Sequence, residues 1–406
     1  MRSVDEHLGA IMDVVAPLPP YEQPLLEALG LPICEEITST IDMPRFDNSA
    51  MDGYACHFSD VESASRDTPV RLPVVGESAA GQAKASALST GQAVKIMTGA
   101  PLPTGADAIV PIEWTDGGRS SVTITEAPQR GEHVRPRGED VKSGDPLLHE
   151  GTILGPREAM ILAAAGHTRI KARPRPRIVV LSTGSELREP GSALGFDSIF
   201  DCNSFGLAAA ARQADAIAYR VGIVSDEPQE LTDALSDQLV RADLVVTSGG
   251  VSMGDYDVVK DVLGRLGTVE FTEVAMQPGK PQGFGTIGED DTPIFTLPGN
   301  PVSAYVSFEV FVLPAIRRMM GREPYRRPLV RAECTDQMSS PRGRRQFARG
   351  FFEVTEHGAR VTPVGGPGSH LIGSLARSNC LIVVPEATGS VDQGSTVDVL
   401  VLDRNF

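Results

Sequence analysis

Two turns constrain this chain more than any other feature: Ser248-Gly249-Gly250-Val251-Ser252-Met253-Gly254-Asp255-Tyr256-Asp257 and Leu297-Pro298-Gly299-Asn300-Pro301-Val302-Ser303. Each follows an apolar run that reads as a buried strand, residues 244–246 and 294–297, and each precedes a helix-like pattern. Glycine and proline at such turns leave backbone N–H groups pointing outward at a helix start, a geometry suited to phosphate. Asp255 and Asp257 cannot hold phosphate directly, but they can hold a divalent metal that does. The two turns together predict a phosphorylated ligand, bound with metal at the carboxyl edge of a parallel sheet.

The surrounding pattern agrees. Strands over residues 178–181, 218–224, 244–247 and 294–297 alternate with helices over 203–213, 229–242, 257–266 and 302–319. Such alternation implies a parallel sheet with helices on both faces. Residues 4–28 read as two short helices broken at Pro17, Pro19 and Pro20. From 43 to 137 short apolar segments alternate with Gly, Pro, Asp and Ser turns, an all-β texture. Within it, 77–91 is hydrophilic and Ala-rich and reads as loop. Residues 151–166 read as helix, with Pro156 in the first turn and Gly166 as a stop. Arg/Pro-rich linkers at 173–176 and 322–328 bracket the α/β region, and 329–401 again reads as short strands, a small barrel or sandwich.

At 406 residues and 41% hydrophobic, the chain can build more than one core. A net charge of -16 with no basic stripe argues against nucleic acid. An acidic protein that binds an anion must gather its basic residues locally or use metal. The five cysteines are scattered, without a Cys-x-x-Cys pair, which argues against zinc or a disulfide framework and fits a reducing cytoplasm. The seven histidines lack metal-ligand spacing. The first residues lack the apolar core of a signal peptide, and no run of about 18 apolar residues predicts a membrane span.

Seven stretches carry a family resemblance: Phe46-Asp47-Asn48-Ser49-Ala50-Met51-Asp52-Gly53-Tyr54-Ala55, Ile96-Met97-Thr98-Gly99-Ala100-Pro101, Arg137-Gly138-Glu139-Asp140, Ser182-Thr183-Gly184-Ser185-Glu186-Leu187, the 248–257 turn, Pro278-Gly279-Lys280-Pro281 and the 297–301 turn. In this order, across essentially the whole chain, they resemble the molybdopterin molybdenumtransferase family, which includes the E domain of gephyrin. The resemblance implies a multidomain α/β plus β fold. A central parallel-sheet α/β domain (173–322) would resemble molybdopterin adenylyltransferase. Around it would lie an inserted β domain (43–140), a split helical domain (1–42 plus 141–172) and a C-terminal β-barrel (323–406). It also implies a homodimer. The implied reaction converts adenylylated molybdopterin and molybdate to molybdenum cofactor and AMP.

The resemblance assigns roles by position. Asp52, Thr98, Asp140, Glu186, Asp226 and Asp255 would be catalytic, and Glu186, Asp255 and Asp257 would hold Mg2+, the ion that all-oxygen ligands favour. Asn203, Gly249, Gly250, Ser252, Lys280, Pro298, Gly299, Asn300, Pro301 and Ser303 would bind the substrate. Lys280, Arg344, Ser369 and Ser374 would receive molybdate, with Arg345 able to replace Arg344. Plainer roles compete: Asp257 and Asp226 suit helix N-caps, Glu186 a first-turn acid, and Arg344 a surface arginine. Asp52, Thr98 and Asp140 lie outside the α/β region, so they would join its cleft from another domain or from a partner subunit.

The chain departs from the family pattern at Glu273 and Gln277, where relatives often carry basic residues, and at Cys202, where serine is usual. Two other readings share the fold: an adenylyltransferase, which would end its strand in a Gly-Gly-Thr-Gly turn without flanking β domains, and a gephyrin-like scaffold, in which the acids and Lys280 would have no catalytic use.

Overall fold

The computed structural model describes residues 1–79, 81, 87–225, 227–250 and 258–403. The chain divides into two units: Met1–Gln23 with Gly30–Cys34 and Ile170–Phe406, and Pro24–Leu29 with Glu35–Arg169.

The first unit opens on helix α1, Val4–Val14. Ser3 accepts from the Glu6 N–H while the Glu6 carboxylate accepts from the Ser3 N–H, a capping box that fixes the start. Val4, Leu8 and Ile11, at helical spacing, are buried. No second helix follows. Tyr21–Pro24 is a strand instead, because Pro17, Pro19, Pro20 and Pro24 lack the N–H groups a helix needs. Gln23 is buried and donates to the Ala172 carbonyl at 2.8 Å.

His7 on α1 is 3% exposed and packs edge-on against Phe311. Burial, with a smaller push from the Arg2 charge, lowers its imidazole from 6.5 to about 4. The unfolded chain therefore takes up a proton that the folded one refuses. Stability is intact above the unfolded value and is lost as pH falls toward 4. The wild type should lose about 2 kcal/mol more than a His7→Leu variant on going from neutrality to about pH 5. Urea titrations across that range check this; equal acid sensitivity of the two proteins would contradict it.

The central layer is built on β1 Arg177–Thr183, α2 Asn203–Gln213, β2 Ile217–Val224, α3 Pro228–Leu239, β3 Leu244–Ser248, α4 Val258–Leu266, β4 Glu270–Glu273, β5 Pro281–Ile287 and β6 Thr292–Leu297. The sheet order is β2-β1-β3-β6-β5-β4. The four expected strands pair in parallel, with Val180 opposite Val246 and Val246 opposite Phe295. Strands β5 and β4 extend the sheet antiparallel. One face packs on α3 and α4 through Val179, Leu181, Val245, Leu231, Leu235 and Val262; α2 covers the other.

After β6 comes α5, Pro301–Ser307, a buried π turn over Phe308–Val312, and α6, Leu313–Met320. Pro314 has no N–H for the Val310 carbonyl, and its ring crowds that turn, so the helix widens there. The run ends at Gly321, with φ +67.

The C-terminal strands β7 Leu329–Cys334, β8 Arg345–Thr355, β9 Gly358–Pro363, β10 Cys380–Val384 and β11 Thr396–Val401 close on themselves in the order β8-β9-β7-β11-β10-β8. This is a five-stranded barrel around Ala332, Phe352, Val361, Ile382 and Val399. Residues Met276–Gln277 pair with Arg345–Gln346 and tie the β4–β5 loop to the barrel.

The second unit holds a five-stranded sheet ordered Ala108–Pro111, Gly53–Cys56, Ala93–Ile96, Val70–Ser78, Ser121–Ile124. Its core is Tyr54, Cys56, Leu72, Val110 and Ile124. Gly53 is forced by close approach: a Cβ there would lie 2.0 Å from the Val110 carbonyl oxygen. Helix Pro156–Ala164 ends before Gly166 at φ +89. Among the described residues no helix is long and apolar enough to cross a membrane.

Candidate functional site

The carboxyl edge of β1, β3 and β6 gathers most of the expected ligand residues of the first unit. Gly249, at φ +102, donates its N–H to Leu297 at 3.1 Å, so the two glycine turns touch. Gly250, at φ +70, lies against Val259, where a Cβ would come within 2.2 Å. Both positions need glycine for conformation and for space. Asn203 opens α2 and joins the turns from below: its amide donates to Ser248 Oγ at 2.6 Å and to the Gly299 carbonyl at 2.7 Å. Both amide protons are thereby used, and Oδ1 accepts from the Cys202 thiol at 3.7 Å.

Asn203 owes its place to Asp201, a residue sequence reasoning passed over. Asp201 is 2% exposed. It accepts from Ser182 Oγ at 3.0 Å, from the Ser204 N–H at 3.1 Å and from the Ser204 hydroxyl, and Arg220 lies 3.9 Å away. Its position ahead of Ser204 at a helix start is the signal that would have found it.

The second turn leads into α5. Pro298 is buried, Gly299 and Asn300 are exposed, Pro301 takes the first helical position and Ser303 is buried beneath it. The Val302 N–H donates to the Ser369 carbonyl at 3.1 Å, which brings the 363–371 loop to this helix start. A cavity of about 270 Å³ lies there, lined by Gln277, Pro278, Val302, Gln346, Arg349 and Gly366 among others. Arg349 was also missed. It is 5% exposed, donates to the Gly366 and Gly368 carbonyls, and among the described residues its Nε has no partner. Its burial comes from the loop laid over it, which no local pattern reveals. Ser374, also buried, packs on Gly365, where a Cβ would come within 2.5 Å of its Oγ.

Of the two adjacent arginines, Arg345 is committed: it binds Asp5 at 2.7 Å and Glu386 at 3.0 Å. Arg344 has no such pairing among the described residues. Lys280 lies 2.7 Å from Glu273.

Glu186 follows β1 and is exposed, its carboxylate folded back on Gly184, where a Cβ would come within 2.6 Å of it. As a hard oxygen donor it suits magnesium. One carboxylate does not make a magnesium site, and among the described residues no three acidic, His or Cys side chains gather to hold a metal. Asp226, Ser252, Asp255 and Asp257 lie outside the described residues, so the fit of the ion turns on Asp255 and Asp257.

In the second unit, Asp52 Oδ1 accepts from the Thr98 N–H at 2.7 Å and the Thr98 hydroxyl at 2.9 Å. Those bonds, with a smaller contribution from Lys95, hold its carboxyl below the usual range. Asp52 and Thr98 thus form one exposed pair. Asp140 is exposed, with its N–H on the Met43 carbonyl at 3.1 Å.

Three family models account for nearly the whole chain: MoeA N-terminal region (domain I and II) over residues 2–166, Probable molybdopterin binding domain over 179–318, and MoeA C-terminal region (domain IV) over 331–402. Molybdopterin molybdenumtransferase 2 of Mycobacterium tuberculosis is 44% identical, covering 98% of this chain and 99% of its own. The Haemophilus influenzae molybdopterin molybdenumtransferase is 38% identical over 92% of each. Among solved structures, a molybdopterin biosynthesis MoeA protein from Pyrococcus horikoshii superposes with a TM-score of 0.83 at 31% identity, over 99% of both chains. Matched by these models along nearly its whole length and by relatives of this identity and coverage, the chain belongs to the molybdopterin molybdenumtransferase family.

Proposed function

We propose that this protein inserts molybdenum into adenylylated molybdopterin, consuming molybdate and releasing AMP. The observation that carries the reading is the junction at the carboxyl edge, where Asn203 binds both glycine turns and ties them together. In this reading the nucleotide-capped phosphates lie along Gly249, Gly250 and Ser252, and the turn from Pro298 to Pro301 with Ser303 borders the pterin. Magnesium would be held by Glu186, Asp255 and Asp257, neutralising charge on the phosphate oxygens as the bond to AMP breaks. Asp226, outside the described residues, would serve a proton or cap the helix that follows.

The oxyanion would enter beside Lys280, Arg344, Ser369 and Ser374. Arg349 supports that end: by holding the Gly366 and Gly368 carbonyls it sets the loop that carries Ser369. Four domains would serve the reaction, divided at residues 42, 140, 172 and 322. The adenylyltransferase reading leaves the regions over 2–166 and 331–402 without purpose. The test is AMP release from adenylylated molybdopterin with magnesium, with and without molybdate. Release indifferent to molybdate would sink the proposal.

We also propose that the enzyme works as a homodimer whose partner contributes Asp52, Thr98 and Asp140. Leu194, Ile199, Phe200 and Phe205 are exposed within one short segment, and Phe196 is 110% exposed. An apolar cluster of this kind suits a protein interface. Phe196→Glu should shift the protein to monomer in sedimentation and abolish AMP release. A fully active monomer would refute the shared site.

A further inference from the structure

Lys280, assigned above to the oxyanion, is already occupied by a carboxylate. Its Nζ lies 2.7 Å from Glu273 Oε1, with the two side chains 36% and 33% exposed. Glu273 closes β4, and Val274, the next residue, donates its N–H to the Lys280 carbonyl at 2.7 Å. That bond pinches the 274–280 loop shut and holds ammonium and carboxylate across its neck. The loop has little freedom to separate them: Gly279, at φ +97, is hemmed in by Ser307, Met276 and Gln282, and prolines stand at 278 and 281.

Glu273 also senses the second cation. Its carboxyl lies below the usual range, first through the bond to Lys280, then through the charges of Lys280, the N-terminus and Arg344. One carboxylate therefore draws on both basic residues offered to the anion. It presents two oxygens and a negative charge, as does one edge of a tetrahedral oxyanion.

We infer that Glu273 sets the affinity for the oxyanion, its carboxylate holding Lys280 in the resting enzyme and being displaced when the dianion enters. The inference rests on the assignment of Lys280 above. A partly exposed ion pair is weak, so displacement is feasible. The displaced carboxylate stays nearby and repels the dianion, so affinity is held down rather than lost.

The experiment titrates molybdate against AMP release by the full chain, for wild type, E273Q, K280Q and the double variant, at low and high salt. E273Q keeps the size of the side chain and one acceptor oxygen and removes its charge. It should lower the half-saturating molybdate concentration by about tenfold at low salt, and by less at high salt. K280Q should raise it, and E273Q should give a smaller benefit in the K280Q background, where only the repulsion of the dianion is left to relieve. An unchanged or raised value in E273Q would overturn the inference and leave the oxyanion site standing, with Glu273 orienting Lys280. An unchanged value in K280Q would remove the assignment of Lys280 itself, and this inference with it.

Discussion

A Gly249→Ala variant should lose about 3 kcal/mol of stability and about a hundredfold in AMP release. The added methyl would stand 2.5 Å from the Thr183 carbonyl oxygen and 2.9 Å from its hydroxyl. Thr183 cannot move aside, since it is the last residue of β1 and pairs with Val224. Gly249 cannot move either without giving up its bond to Leu297 and its φ of +102. Any relief shifts the turn proposed above to hold the phosphates, and a displacement of about an ångström there would be enough to misplace a reacting phosphate. Gly299→Ala provides the contrast. Its Cβ would meet only Gly249 Cα, at 3.8 Å, an ordinary contact. That variant should stay within about 1 kcal/mol of the wild type. Denaturant titration and AMP release measured on both decide the matter; equal behaviour of the two would show that the first turn is free to relax.

The same two turns explain why so much was readable from residue order. Runs such as Leu244–Ser248 are buried on both faces, and such strands are almost continuously apolar. Helix α2 matched its expected bounds because Gln213 is followed by a break, with Asp215 at φ +64. Strand β5 was missed because Gly283 and Gly285 interrupt its apolar pattern. Their purpose is close packing: a Cβ at Gly283 would lie 2.8 Å from the Phe271 ring, and one at Gly285 would lie 2.5 Å from Val269 Cα. At the site, glycines announce themselves locally, but partners do not. Asn203 reaches Ser248 and Gly299, 45 and 96 residues away. Arg345 finds its partner in Asp5, 340 residues away. Only folding brings such pairs together, so sequence order cannot rank them.

The buried Asp201 makes the second large prediction. Asp201→Ala should cost about 4 kcal/mol, since it orphans the Ser182 hydroxyl and the Ser204 N–H in a site closed to water. The cost is limited on one side: Arg220 keeps Glu189 at 2.7 Å and does not become an unpaired charge. Loss of the side-chain acceptor also frees the first turn of α2, and with it the bonds from Asn203 to Ser248 and Gly299. AMP release should therefore fall together with the denaturation midpoint. Asn203→Ala separates the two effects. It removes the same two bonds at a partly exposed residue while Asp201 stays paired, so activity should drop with a loss of only about 1 kcal/mol. If Asp201→Ala unfolded no more easily than Asn203→Ala, the carboxylate would not be organising the helix start. If Asn203→Ala kept full activity, the two glycine turns would hold their positions without it.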